Sequence, residues 1–338
     1  MLRALAGILS DLKGLWLKAW ARPRPALFPL GAVARGADAT VLRADLLAGL
    51  TVALLAFPMA MAFAMKAGLP VWCGIVGCGV AAFVAPIFAG SANLSAGPTN
   101  ASAALLLGAF ATLGAVTPEM RVAALPTLLL MTGVFLLLAS WLRLGGFADF
   151  VPRTVISAYI AAAALRVIAL QLPTALNLPG DQTGQSLPEV LWATVHAGKA
   201  LLNPDLGLAV VTAIVYALLR RPYGVGKAIL GAIGVASLGA YLGQSVALGQ
   251  GSRADLVHYV GDAARTANAL HLPEFSARTF STLFSPALAL AVLVIIEGTA
   301  NARASALKTG RGSDLHQEIF GLGMANLACC LKIGRAHV

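Results

Sequence analysis

The sequence predicts an all-α polytopic membrane protein, and three observations carry that prediction. Of 338 residues, 59% are hydrophobic and only 11% are charged, against about 25% charged in an average soluble domain. Apolar runs recur at lengths near the ~20 residues that an α-helix needs to cross a bilayer. The basic residues fall in the short segments between those runs, as the positive-inside rule expects. The net charge of +10 therefore does not point to nucleic acid, since no Lys/Arg stripe interleaved with aromatic residues accompanies it.

The chain opens with a basic arm, residues 1–44. Met1 to Arg43 carries seven Lys/Arg against two acids, and Trp16, Trp20 and Phe28 suggest contact with a membrane interface. No continuous apolar core with a small-residue cleavage site follows, so the arm reads as cytoplasmic. The transmembrane region, residues 45–331, holds nine candidate spans. The first, Leu46–Met65, contains Pro58, which removes an intrahelical hydrogen bond and marks a kink. Phe63 lies beyond it, placed to face a cavity about a turn away. The second is Val71–Ala89 and the third Gly97–Val116, entered through a Gly-Pro pair. Val122–Leu142 is the fourth, and Thr154–Leu172 the fifth. Leu206–Leu219 and Ala228–Gly249 follow, then Pro286–Ala302, which carries an acidic residue, and Ile319–Leu331. The sixth and ninth are short, so each must recruit flanking residues, tilt, or stop short of a full crossing.

With the N-terminus inside, the cytoplasmic segments hold fifteen Lys/Arg and the opposite side six. That asymmetry supports both the orientation and the span count. In the long outer segment 173–205, Leu187, Leu191, Val195 and Leu202 recur at helical spacing, which predicts an interfacial helix. The tail "KIGRAHV", residues 332–338, breaks abruptly from the apolar "LACCL" before it. One DNA spelling of it, AAG ATC GGA AGA GCA CAC GTC, contains the start of a widely used sequencing adaptor. The tail is therefore read as an artefact outside the fold, with a longer natural chain continuing past Leu331.

Polar residues interrupt the membrane region at three places. In "NLSAGPTNAS", Asn93 to Ser102, small and polar residues alternate, then Pro98 stands where a helix starts best because its missing N–H would be an orphan there. The segment reads as a short extended stretch leading into a half-helix that begins near mid-bilayer. Non-helical backbone at that depth must be buried in protein or line a cavity. A half-helix start there offers free N–H groups and about +0.5 e, a ready anion site, to which Ser95, Thr99 and Asn100 add side-chain donors. The plainer alternative is a proline-initiated helix after a surface loop.

In the eighth span, "AVLVIIEGTANARASALKTG", Glu297 follows a long uncharged run. A charge at that depth costs roughly 2.5–3.5 kcal/mol, so it must be protonated, paired or turned to a cavity. Coupling to protons or sodium and a structural hydrogen bond both remain open. Gly298, Thr299 and Asn301 after it are small or polar and let another helix approach closely. Arg166 is about six residues from its span's outer end, roughly 9 Å at a 1.5 Å rise, so it can snorkel or serve function. Cys73, Cys78, Cys329 and Cys330 sit in apolar runs without zinc spacing and read as small buried hydrophobes. The five histidines are scattered, and neither a metal cluster nor a catalytic dyad is visible.

Together these segments resemble the SulP (sulfate permease) family of anion transporters, part of solute carrier family 26. "DLLAGLTVALLAFPMAMAFAMKAGLP", Asp45 to Pro70, is similar to that family's first helix, and "GSANLSAGPTNAS" to the approach to its third. "FVPRTVISAYIAAAALRVIALQL" resembles the fifth, and Val292 to Leu331 the eighth and ninth. The resemblance implies a seven-plus-seven inverted-repeat transporter fold (uracil-permease-like), present here in part and C-terminally truncated. Segments one to four and eight to eleven would form a core and the rest a gate. It implies substrate contacts from Phe63, Met59 and Ser95, with Gly97, Pro98, Thr99 and Asn100, and a coupling-ion position at Glu297 and Thr299. Met59 stands where many members carry glutamine, which removes a polar ligand and bears on which anion is taken. A cytoplasmic STAS domain usually follows the membrane region in that family.

The expected function is secondary active transport of a small inorganic anion, sulfate or bicarbonate, coupled to protons or sodium. No cofactor is expected beyond a coupling Na+ or H+. The expected setting is a bacterial inner membrane, with lipid and a second copy of the full-length chain as partners. An uncoupled channel or exchanger would use the same site. A nucleobase–cation symporter shares the fold, but the Gly-Pro half-helix and its anion-favouring dipole argue against it. An intramembrane enzyme would need paired catalytic groups that the spans lack, so the expectation is no enzymatic activity.

Overall fold

A computed structural model describes residues 38–90, 96–114, 117–144, 204–249, 276–310 and 314–333, together with Ala26, Thr154, Ala158, Ala161, Ala162, Leu165, Pro188 and Trp192. The predicted fifth span and the interfacial helix of segment 173–205 lie almost wholly outside the described residues, as does Arg166. Eight helices carry the described chain: α1 Ala39–Lys66, α2 Val71–Phe88, α3 Asn100–Leu113, α4 Pro118–Trp141, α5 Pro204–Tyr223, α6 Val225–Gly249, α7 Ala277–Thr309 and α8 Leu315–Ile333. No β-ladder occurs among the described residues. Among the described residues six helices are long and apolar enough to cross a membrane, and this is a multi-pass membrane protein.

Local chemistry sets the helix ends. Pro118 occupies the first turn of α4 behind Thr117, whose side chain accepts from the Met120 N–H, and Glu119 adds a negative charge near the helix start. The short sixth and ninth spans grow by taking flanking residues, to 20 residues in α5 and 19 in α8. The latter helix includes Lys332 and Ile333 from the tail. By contrast α3 has 14 residues, roughly 21 Å at a 1.5 Å rise, too short for a hydrocarbon core of about 30 Å. It is a half-helix, stopped by Gly114 in the left-handed conformation (φ 72°), whose N–H returns to Phe110 and Ala111.

The chain divides into two compact units, and the boundary inside α1 falls between Met59 and Ala60, just past Pro58. One unit takes residues 38–59 and 159–263, hence the first part of α1 with α5 and α6. There α5 and α6 pack as neighbours, and Leu46 and Leu47 at the start of α1 turn outward, 65% and 68% exposed, as lipid-facing residues do.

The other unit contains the end of α1 with α2, α3, α4, α7 and α8. Its core gathers Phe110, Leu128, Leu283 and Ala287, none of them solvent-accessible, and Phe135 meets Phe284 edge-on at 5.3 Å. Here α8 packs on α4, α2 and α7. Small residues allow the approach, as association of apolar helices in lipid rests on close packing. A Cβ on Gly321 would stand 2.9 Å from both the Ala85 carbonyl oxygen and the Ala89 nitrogen. Backbone cannot yield as a side chain does.

Gly321→Val is therefore expected to separate α8 from α2 and cost about 1–3 kcal/mol. Gly79→Ala on α2, where an added Cβ meets nothing within 4 Å, is expected to cost nothing. Thermal unfolding of the two purified variants in detergent checks this; equal midpoints would mean that α8 is not packed at this distance.

Candidate functional site

The start of α3 is built by its own first turn. Thr99 is extended (φ −119°, ψ 163°) and caps the helix. Its side chain accepts from the Ser102 N–H at 3.1 Å, while the Thr99 N–H donates to Ser102 Oγ at 2.9 Å. This reciprocal box satisfies two of the orphan donors that every helix start leaves. The Asn100 and Ala101 N–H groups make no hydrogen bond among the described residues. They are what this helix start offers an anion. The extended approach predicted for Ser91 to Ala96 lies outside the described residues except at Ala96. Ser95, a predicted ligand, is outside too.

Two charged side chains meet this first turn. Thr99 Oγ1 donates to Glu297 Oε2 at 2.9 Å, joining α3 to the long helix α7. Its single proton is thereby committed, so Thr99 acts as a link to Glu297 rather than as a free donor. One residue on, Lys66 Nζ donates to Asn100 Oδ1 at 2.8 Å. Both Lys66 and Glu297 are half-buried. The hydroxyl of Thr299, buried behind Glu297, is spent within its own helix, on the Ile295 carbonyl at 2.7 Å.

On another flank of the same turn lies a cavity of about 190 Å³. Phe63, Gly97, Pro98 and Ser102 line it, with Thr132 and Asn326 opposite and apolar residues filling the rest. Of the predicted site residues, the cavity thus gathers Phe63, Gly97 and Pro98, while Thr99, Asn100 and Glu297 form the hydrogen-bonded group beside it. Met59 joins neither and is 55% exposed.

Several residues were not singled out by sequence. Lys66 looked like an ordinary basic end to a span. Ser102 completes the cap, and its signal was available in the Thr-x-x-Ser spacing. Cys73, Cys78 and Cys329 are buried, as expected of small hydrophobes, but they also form part of the cavity wall. At the opposite end of α8, His316, Gln317 and Glu318 are almost fully buried, so Glu318 is a further buried charge beside the last predicted span. Gln317 is a tie: its Oε1 accepts from the Ala26 N–H at 2.7 Å, and its amide nitrogen reaches the Ala26 and Phe88 carbonyls. Among the described residues no group of three or more His, Cys, Asp or Glu side chains is placed to hold a metal ion.

Comparison with known proteins accords with this architecture. The sulfate permease family matches residues 42–335. "Probable sulfate transporter MT1781" of Mycobacterium tuberculosis (strain CDC 1551 / Oshkosh) is 28% identical over 302 residues, 87% of this chain and 51% of that protein. "Bicarbonate transporter BicA" of Picosynechococcus sp. is 32% identical over 168 residues, 48% of this chain and 30% of that one. The solved transmembrane domain of a cyanobacterium bicarbonate transporter BicA superposes with a TM-score of 0.65 at 24% identity, over 87% of this chain and 74% of that chain. The helices and this likeness define a membrane protein of the inverted-repeat transporter fold. Within that class, the chain belongs to the sulfate permease family. It spans about half the length of the Mycobacterium relative.

The Thr99–Glu297 contact is open to a double-mutant cycle. Thr99→Val removes the cap, worth about 1 kcal/mol, and the bond to a carboxylate, worth about 1.5–3 kcal/mol. With Glu297→Leu, which leaves no acceptor for Thr99, as the second mutation, unfolding in detergent is expected to show a coupling energy of about 1 kcal/mol or more. Strict additivity would place the two side chains out of contact.

Proposed function

We propose that this protein carries out secondary active transport of a small inorganic anion, sulfate or bicarbonate, driven by a proton or sodium gradient. The observation that carries the reading is the first turn of α3, where the Asn100 and Ala101 N–H groups make no hydrogen bond among the described residues while Thr99 is hydrogen-bonded to Glu297. In low dielectric, fixed backbone donors hold an anion more strongly than they would in water. A carboxylate one hydrogen bond away is placed to gain a proton or a sodium ion as the anion arrives. Neutralising Glu297 then favours the anion, and the anion favours the cation, by the same coupling free energy.

Relatives named as sulfate and bicarbonate transporters support the substrate class. The apolar cavity wall supports a site that sheds water before the anion settles against the helix start. On this reading Phe63, Gly97 and Pro98 shape the approach, Asn100 and Ala101 bind, and Glu297 couples. The protein works in a bacterial inner membrane with its basic arm in the cytoplasm and with a second copy as partner, and it has no enzymatic role.

Purified intact gene product in proteoliposomes is expected to accumulate radiolabelled sulfate or bicarbonate above equilibrium when an inward proton or sodium gradient is imposed. Glu297→Gln is expected to abolish accumulation, a loss of tenfold or more in the gradient-driven component, while leaving equilibrating exchange. Uptake by the wild type that only equilibrates the anion, whatever the gradient, would favour an uncoupled channel or exchanger instead.

A further inference from the structure

A helix start supplies an anion with only about half a positive charge. Coulomb attraction scales with ligand charge, so a further fixed cation draws an oxyanion of charge −2 twice as strongly as one of charge −1. The structure places such a cation at this point. Lys66 is the last residue of α1, where lysines ordinarily extend their heads toward water. Lys66 is instead half-buried, and its ammonium donates to Asn100 Oδ1 at 2.8 Å. Asn100 is the first residue of α3 and one of the two whose N–H groups are unbonded among the described residues. Consecutive residues, Thr99 and Asn100, thus hold a carboxylate and an ammonium at one helix start.

Building on the transport reading, we propose that Lys66 sets the charge selectivity of this site: its ammonium, seated on Asn100, adds a full positive charge to the helix start and makes the site prefer a divalent oxyanion over a monovalent one. Lys66 is a specificity-determining residue contributed by α1, and Asn100 positions it. The selectivity follows from arithmetic. Removing one fixed positive charge weakens a divalent ligand by twice the free energy lost by a monovalent one, so the fold-changes are related as a square. A loss of about threefold for bicarbonate goes with a loss of about tenfold for sulfate.

The test compares initial rates of sulfate and bicarbonate uptake into proteoliposomes for the intact gene product and its Lys66→Met, Lys66→Arg and Asn100→Asp variants. Lys66→Met is expected to raise the KM for sulfate about tenfold and that for bicarbonate about threefold, lowering the sulfate preference about threefold. Lys66→Arg keeps the charge and is expected to keep the preference. Asn100→Asp leaves Lys66 in place but neutralises it with a new carboxylate, so it is expected to shift the preference as Lys66→Met does; it decides the matter if the Met variant fails to insert. An unchanged sulfate-to-bicarbonate ratio in the Met or Asp variant, or an Arg variant that behaves like Met, overturns the inference. A wild type that takes up neither anion overturns the transport reading, and the inference falls with it.

Discussion

The hydrogen bond from Thr99 to Glu297 is the contact around which this molecule is arranged. A 14-residue helix leaves backbone donors at its start, and within a bilayer each unsatisfied group costs several kcal/mol. The Thr99–Ser102 box answers two of those donors. The link to Glu297 fixes the helix start against α7, and it gives a costly membrane carboxylate a donor. One threonine therefore addresses two separate desolvation problems.

That arrangement holds only if α7 is itself held in place, and α8 contributes through close approach. Leu322 of α8 lies against Gly298, the residue after Glu297, where an added Cβ would stand 2.8 Å from its Cδ1. Gly321 and Gly323, on either side of Leu322, meet α2 and α4. Ser140 of α4 donates to the His316 carbonyl at 2.7 Å in a buried setting, so polar contacts at one end of α8 supplement the small-residue packing along it. Precision at Glu297 is in this way inherited from packing at the next residue.

Much of the fold was legible because hydropathy reports length. The run after Pro118 announces α4 within a few residues, and the run before Lys66 announces the end of α1, whose start at Ala39 lies well ahead of the predicted Leu46. The Gly97-Pro98 pair announced a helix start, but Pro98 lies ahead of the Thr99 cap and the helix begins at Asn100, and the half-helix that follows is too short to span. What hydropathy does not report is direction. A lysine at the end of a span has four flexible carbons, and nothing in "AMKAGLP" says that Lys66 turns onto Asn100 rather than to water. Thr299 was expected beside Glu297 at the coupling-ion position, yet its hydroxyl bonds its own helix, as a threonine inside a helix can. Glu318 was hidden for another reason: it stands one residue before an apolar run, and only the packing of α8 shows that its side chain is buried.

On the proposed reading Thr99 is the conduit between cation and anion, and equilibrium binding reads that conduit without any need for transport. Sulfate affinity of the purified intact protein, titrated calorimetrically across sodium concentration and pH, is expected to rise by at least fivefold, the lower end of ordinary site-to-site coupling, as one of the two cations becomes abundant. In Thr99→Val the same titration is expected to be flat even though Glu297 is intact. Wild-type affinity that ignores both cations, or a Thr99→Val protein that keeps the full dependence, would contradict it.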